Sequence, residues 1–214
     1  MKADVIKRLK KLGFSQEKRT LALVHNFLPV RFIFWKRIEQ AAELASGEVA
    51  VDFGCGGGPL LLLLSDRFDV VHGVDIDIGL TKKVKDEFEL HNVNLVQGDI
   101  SKAQFEPGSV DAAYFMDVLE HIKEKELIYE ILENTRRFLK PSGKLIVSGP
   151  TENFVYALMR KIYGHKKPED HYWDIFQLEE MIRDSFQVEN ELLLPLNYIS
   201  SISLFKLILA TPKK

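Results

Sequence analysis

The stretch Val51-Asp52-Phe53-Gly54-Cys55-Gly56-Gly57-Gly58-Pro59 carries the strongest chemical signal in the chain. Glycines at 54, 56 and 58 let a backbone come close to a ligand and adopt dihedrals that a Cβ would forbid. Downstream, Gly73-Val74-Asp75 places an acid where a second strand would end. A carboxylate in that position accepts hydrogen bonds from both hydroxyls of a ribose lying across the strand ends. Together these residues describe a site for an adenosine-containing ligand.

The identity of that ligand is narrowed by what is missing. A dinucleotide fingerprint would require glycine at 54, 56 and 59, and position 59 is proline, which disfavours NAD. No Gly-x-x-x-x-Gly-Lys-Ser/Thr loop cradles a triphosphate, and no lysine lies within residues 52–62 to neutralise one. Asp52 would repel a pyrophosphate but favour an ammonium, directly or through water. A charged amino acid joined to adenosine fits. Cys55 lies inside the loop and reads as a small packing residue, not a nucleophile.

The elements around this loop follow from hydrophobic periodicity. From residue 48, short apolar runs alternate with segments of helical period, the pattern of buried parallel strands and crossover helices. Strands are expected at 49–53, 70–74, 94–97, 111–115, 144–148, 188–194 and 203–210. Helices are expected at 59–66, 80–91, 124–139, 154–163 and 177–185. Glu106-Pro107-Gly108-Ser109 and Lys140-Pro141-Ser142-Gly143 punctuate the pattern. The stretch holding Pro195 and Asn197 is too short for a parallel crossover, so the last two strands should be antiparallel. Two helical stretches open the chain, and the second, 30–45, starts near Pro29 and carries Phe32, Phe34 and Trp35 between Arg31, Lys36 and Arg37.

Composition sets broad bounds. The chain has 214 residues, 46% hydrophobic and 28% charged, an ordinary soluble globular balance. A domain of this length buries about 70% of the surface its unfolded chain exposes, so it needs no disulfide or structural metal. Lys+Arg 29 against Asp+Glu 31 gives a net charge of −2, which argues against gripping nucleic acid through a broadly basic surface. The single cysteine excludes an intramolecular disulfide and fits a reducing compartment, with the cytoplasm as the expected location. The opening residues intersperse charges with Val5, Ile6, Leu9 and Leu12 and lack the apolar core of a signal peptide.

Five motifs stand in order: residues 51–58, residues 73–77, Gln97-Gly98-Asp99-Ile100, residues 110–122 (VDAAYFMDVLEHI) and residues 139–149 (LKPSGKLIVSG). Over residues 48–150 the chain thereby resembles the class I S-adenosylmethionine-dependent methyltransferases, in the small-molecule branch that includes ubiquinone-pathway O-methyltransferases. The resemblance implies an α/β fold: a Rossmann-like, seven-stranded, mostly parallel sheet with the last strand antiparallel and helices on both faces. An N-terminal helical cap, residues 1–46, would precede the S-adenosylmethionine-binding methyltransferase domain, residues 47–214. Carried over by position, Asp52, Gly54, Gly56 and Gly58 would line the methionine part of the cofactor and Asp75 would hold the ribose hydroxyls. Asp99 would face the adenine amine, Ile76 and Ile100 would sandwich the ring, and Met116 would close the pocket.

The acceptor side is less defined. Methyl transfer from a sulfonium needs alignment and exclusion of water, and an acceptor hydroxyl must also lose a proton to a histidine or carboxylate. His121, His171 and Asp117 are the catalytic candidates. Some relatives bind a divalent ion through an acid-x-x-Glu-His run at this place, which would make Asp117, Glu120 and His121 metal ligands; the same residues also read as the plain start of a helix. His165 and His171 sit in a mixed-charge stretch where this fold places acceptor-binding insertions. Phe115-Met116-Asp117-Val118 does not match the Asp/Asn-Pro-Pro-aromatic signature of base N-methylation. A small-molecule acceptor, methylated at oxygen, is therefore expected. The alternatives are a protein or RNA methyltransferase and a noncatalytic S-adenosylmethionine-binding partner protein. Lys7, Arg8, Lys10 and Lys11 around Ile6 and Leu9 suit either peripheral membrane contact or a helix packed on the domain. With the aromatic helix, they tilt the acceptor toward a hydrophobic molecule.

Overall fold

The computed structural model describes residues 3–17, 20–162, 169–195 and 202–213. Its seven strands are β1 (Gly47–Phe53), β2 (Phe68–Asp75), β3 (Val93–Gln97), β4 (Val110–Met116), β5 (Leu139–Pro150), β6 (Phe186–Leu194) and β7 (Phe205–Pro212). They form one sheet in the order β3-β2-β1-β4-β5-β7-β6. β2 pairs in parallel with β1 and β3, and β4 with β5. β7 runs antiparallel to both its neighbours, β5 and β6, as the short connection before it requires. This is the Rossmann-like arrangement expected from the motifs. The chain divides into two compact units, Met1–Ala103 and Gln104–Lys214.

Among the described residues the first unit holds β1 to β3 with five α-helices. Three of these open the chain where two were expected: α1 (Ala3–Lys11), α2 (Leu21–Val24) and α3 (Leu28–Glu43). The additional one, α2, is a single turn that ends where His25 turns extended, and Pro29 sits in the first turn of α3, where its missing N–H costs nothing. α4 (Leu61–Leu64) is shorter than the helix read over 59–66. Gly58 is left-handed just before it, and at its end the Arg67 N–H closes on the Leu64 carbonyl at 2.9 Å before β2 begins. α5 (Gly79–Glu87) follows β2. Ala50, Val51, Phe53, Leu61, Leu64, Val71, Val84 and Val93 are buried.

The second unit holds β4 to β7 with α6 (Lys125–Phe138), α7 (Phe154–Ile162) and α8 (Ile175–Ser185). α6 buries Ile128, Ile131, Leu132, Thr135 and Phe138, a stripe at helical spacing. α8 begins before the expected Gln177 because Asp174 caps it. The Asp174 carboxylate accepts from the Phe176 and Gln177 amides, and the Gln177 side chain accepts from the Asp174 amide in return. In β7, Lys206 is buried against Glu179 of α8 and Glu191 of β6. β6 lies at the sheet edge with an irregular register between Val188 and Asn190. Glu189, beside that irregularity, pairs with Lys144 at 2.8 Å. Among the described residues no helix is long and apolar enough to cross a membrane.

Candidate active site

The end of β1 delivers Asp52 and Phe53 to the glycine loop, and the end of β2 holds that loop in place. Gly54 and Cys55 both donate their N–H groups to the Val74 carbonyl, at 2.7 and 3.1 Å. Gly54, Gly56 and Gly58 have φ of +73°, +53° and +78°, conformations that side-chain-bearing residues rarely adopt. At Gly58 a Cβ would also lie 2.8 Å from Thr81 Cγ2. Asp75, 6% exposed, is the organiser: Oδ2 accepts from the Gly56 N–H at 2.8 Å and Oδ1 from the Asp77 N–H at 2.9 Å. Each oxygen keeps a second lone pair for another donor. Thr81 of α5 adds a bond from its hydroxyl to the Gly56 carbonyl. Nothing in the sequence pointed to Thr81 except that it is a small polar residue in a helix otherwise rich in charge.

Asp52 is 2% exposed, and its Oδ1 has no hydrogen-bond partner among the described residues. Burial first, and the charge of Asp75 second, push its carboxyl well above the ordinary range. A buried, unsatisfied carboxylate beside a loop with little side-chain cover fits a ligand that brings a cation or proton donor of its own. The loop, Asp52 and Asp75 thus fit a nucleoside bearing an ammonium group. Cys55 is buried and its thiol is pushed upward, chiefly by burial and then by Asp52 and Asp75, so it is a poor nucleophile.

Beyond Asp75, Ile76 is 64% exposed and Ile100 half-buried, leaving apolar surface at the end of β2 and after β3. Asp99 Oδ1 accepts from both the Ser101 N–H and hydroxyl at 2.9 Å, and these bonds hold its carboxyl below the ordinary value. The Gly98 N–H donates to the Asp75 carbonyl at 2.9 Å, tying this segment to the end of β2.

In the second unit Met116 ends β4, half-buried, and Asp117 follows with φ of +58°, its N–H bonded to the Ser148 carbonyl at 2.9 Å. Glu120, fully buried, and His121 share the short turn Leu119–His121. Backbone and indole bonds draw the segment around residue 171 onto this turn. The Tyr172 N–H donates to the Glu120 carbonyl at 2.9 Å, and Trp173 Nε1 to the Ile122 carbonyl at 2.8 Å. His171 therefore packs edge-on against His121, with ring centroids 4.8 Å apart. Ligand-capable atoms of Glu120, His121 and His171 lie within 4.8 Å of one another; Asp117 is not in that group, and His171 takes the place the sequence reading gave it.

Each of these imidazoles is backed by a carboxylate. His121 Nδ1 lies 3.0 Å from Asp170 Oδ2, and His171 Nδ1 lies 3.0 Å from Glu152 Oε1. In the tautomer whose Nδ1–H faces the carboxylate, Nε2 of either ring would present a lone pair. Desolvation, then the neighbouring His171, hold His121 below its ordinary value, against the pull of Asp170 and Asp117. The sequence carries no signal for these pairs, because no spacing rule links Glu152 to a histidine 19 residues further on, nor Asp170 to one 49 residues before it. His165 lies outside the described residues.

Comparison with known proteins bears on the fold and on the kind of domain. The family described as "Methyltransferase domain" matches residues 51–147. The chain is 26% identical over 144 residues to a probable ribosomal RNA small subunit methyltransferase A of Pyrococcus furiosus, covering 63% of this chain and 51% of that protein. It is 31% identical over 144 residues to a ubiquinone biosynthesis O-methyltransferase of Cupriavidus pinatubonensis, covering 64% and 53%. The chain thus spans about half the length of these curated relatives. Among solved structures, the N-methyltransferase NodS of Bradyrhizobium japonicum, in complex with S-adenosyl-L-homocysteine, matches 97% of this chain and 99% of its own with a TM-score of 0.72. The identity there is 11%, so the likeness is one of fold.

Proposed function

We propose that this chain, built on the class I S-adenosylmethionine-dependent methyltransferase fold with its methyltransferase domain at residues 51–147, moves a methyl group from S-adenosylmethionine to a small hydrophobic molecule, at oxygen. The observation that carries the donor half is the buried Asp52 oxygen left without a partner beside a glycine loop held by Asp75. When bound, the donor supplies a methyl already activated on a sulfonium, so the protein's task is alignment and exclusion of water. Asp52 balances the donor's ammonium. Asp75 accepts from the ribose hydroxyls with the lone pairs that Gly56 and Asp77 leave it. Asp99 meets the adenine amine, Ile76 and Ile100 flank the ring, and Gly54, Gly56 and Gly58 admit the methionine portion.

The acceptor half rests on the paired histidines. An acceptor hydroxyl must shed a proton, and Nε2 of His121 or His171 takes it while Asp170 or Glu152 stabilises the resulting imidazolium. Asp117 remains a further candidate for that role. The same three side chains would alternatively hold a divalent cation, Glu120 through a carboxylate oxygen and both histidines through Nε2, and such an ion lowers the pKa of a bound hydroxyl. In that case the histidines serve as ligands and not as bases.

The test is mass spectrometry on fractionated host metabolites incubated with the protein and methyl-labelled donor. Formation of S-adenosylhomocysteine with a one-methyl mass gain in a small molecule supports the reading. Label found in RNA or protein points to a macromolecular acceptor, and stoichiometric donor binding without turnover points to a noncatalytic partner. Chelator treatment and readdition of Mg²⁺ or Mn²⁺ decides the metal: activity indifferent to both removes the cation from the account.

A further inference from the structure

We propose that the outer face of α1 and the first turns of α3 form a docking surface for the anionic headgroups of a phospholipid bilayer. This is independent of the methyl-transfer reading. Ala3, Ile6, Lys7, Lys10 and Lys11 recur at helical spacing along one side of α1, and with Arg31 of α3 they line an open cavity of about 550 Å³. The other side of α1 is committed to the protein. Leu9 is fully buried, and Arg8 bonds Glu87 at 2.8 Å with its guanidinium 4.0 Å over the Phe88 ring. The helix is therefore held with its basic side outward.

The cations on that side keep their charge available. Lys7 and Lys11 are exposed and, among the described residues, form no ion pair. Lys10 bonds the neutral Asn26 side chain at 2.9 Å, and Arg31 bonds the His25 carbonyl at 3.3 Å. Four positive charges thus converge, each paired with no carboxylate among the described residues, in a chain whose net charge is −2. Beside them on α3, Leu28 and Phe32 are each 63% exposed and four residues apart, with Arg31 on the same stretch of surface.

Cations next to large exposed apolar groups match a lipid interface, where lysines meet phosphates and aliphatic or aromatic tips enter the acyl boundary. An RNA would satisfy the lysines but would gain nothing from Leu28, which cannot stack on a base. The occupant favoured by both halves of the surface is the bilayer.

Cosedimentation of the full chain with vesicles tests this. The expected result is binding to phosphatidylcholine vesicles containing phosphatidylglycerol, weaker binding in high salt, none to phosphatidylcholine alone, and no competition by free glycerol phosphate. A cation near an anionic surface is worth about fivefold in affinity, so Lys7→Ala with Lys11→Ala should weaken binding by about 30-fold. Leu28→Ser with Phe32→Ser should weaken it by about tenfold or more while leaving the lysines in place. Far-ultraviolet circular dichroism and cooperative thermal melting unchanged from the natural protein in both variants show that they fold. No sedimentation with anionic vesicles, equal sedimentation with zwitterionic ones, or insensitivity to either pair of substitutions overturns the proposal. So does an RNA mobility shift abolished by the lysine changes in a protein that ignores vesicles.

Discussion

Asp75→Ala removes the anchor of the Gly56 and Asp77 amides and, on the proposed assignment, the acceptors for both ribose hydroxyls. A hydrogen bond to an ionised carboxylate contributes about 1.5–3 kcal/mol, so losing two costs about 3–6 kcal/mol and raises the Kd for S-adenosylhomocysteine by roughly 10²- to 10⁴-fold. Part of that loss would come from the loop itself, because the Gly56 and Asp77 N–H groups bond Asp75 at 2.8 and 2.9 Å and would lose their acceptor. A second ligand separates the two contributions. In titration calorimetry on the natural protein, the 2′-deoxy form of S-adenosylhomocysteine should bind about 10- to 100-fold more weakly than the parent. On Asp75→Ala the two ligands should bind alike, since the partner of the 2′-hydroxyl is already gone. A variant that binds the parent ligand within about threefold of the natural protein, or that still discriminates against the deoxy form, would refute the assignment.

Further outcomes follow from neighbouring residues. Asp52 holds a proton more tightly in the ligand-free fold than unfolded, because burial and Asp75 raise its pKa. Stability should therefore fall as pH rises from the unfolded carboxyl value through the folded one, and Asp52→Asn should flatten that slope in thermal melts from about pH 4 upward. An ammonium placed beside Asp52 favours ionisation, so ligand binding should release a proton, read as a buffer-dependent calorimetric enthalpy; identical release in Asp52→Asn would reject the pairing. Gly58→Ala should lower urea stability by about 2–4 kcal/mol, from left-handed strain and the approach to Thr81, and an unchanged midpoint would contradict it. Lys206→Met should cost about 3 kcal/mol by stranding the buried Glu179 carboxylate, toward the lower end because Arg183 still reaches it; a change under about 1 kcal/mol would show the pair to be dispensable. Cys55 should resist thiol reagents until the protein is unfolded, and rapid labelling of the native fold would count against its burial.

Much of the scaffold was legible because period and punctuation are local properties. Alternating apolar runs and helical segments marked all seven strands, and the connection before β7 was short enough to dictate its direction. Local patterning failed where neighbours in space decided the outcome. The run of leucines after Pro59 reads as two helical turns, yet the loop conformation before it and the early start of β2 leave it one. α8 begins early because Asp174 and Gln177 cap it reciprocally, a signal present in the sequence as an acid three residues before a glutamine. The left-handed conformation of the glycine loop could be read from residue types alone, since such a backbone favours glycine at 54, 56 and 58. The backing of His121 by Asp170 and of His171 by Glu152 could not, because it depends on how the 169–174 segment folds back over the Leu119–His121 turn.

The irregular, charge-bearing edge strand β6 has a consequence for assembly. A second chain adding its own strand there would have to match a disturbed hydrogen-bond ladder and lay its backbone across Glu189 and Glu191, which already hold Lys144, Arg183 and Lys206. Breaking those pairs leaves like charges facing the newcomer and returns little apolar burial. The sheet is thereby terminated chemically on that side, and strand-by-strand growth into fibres is discouraged at that border.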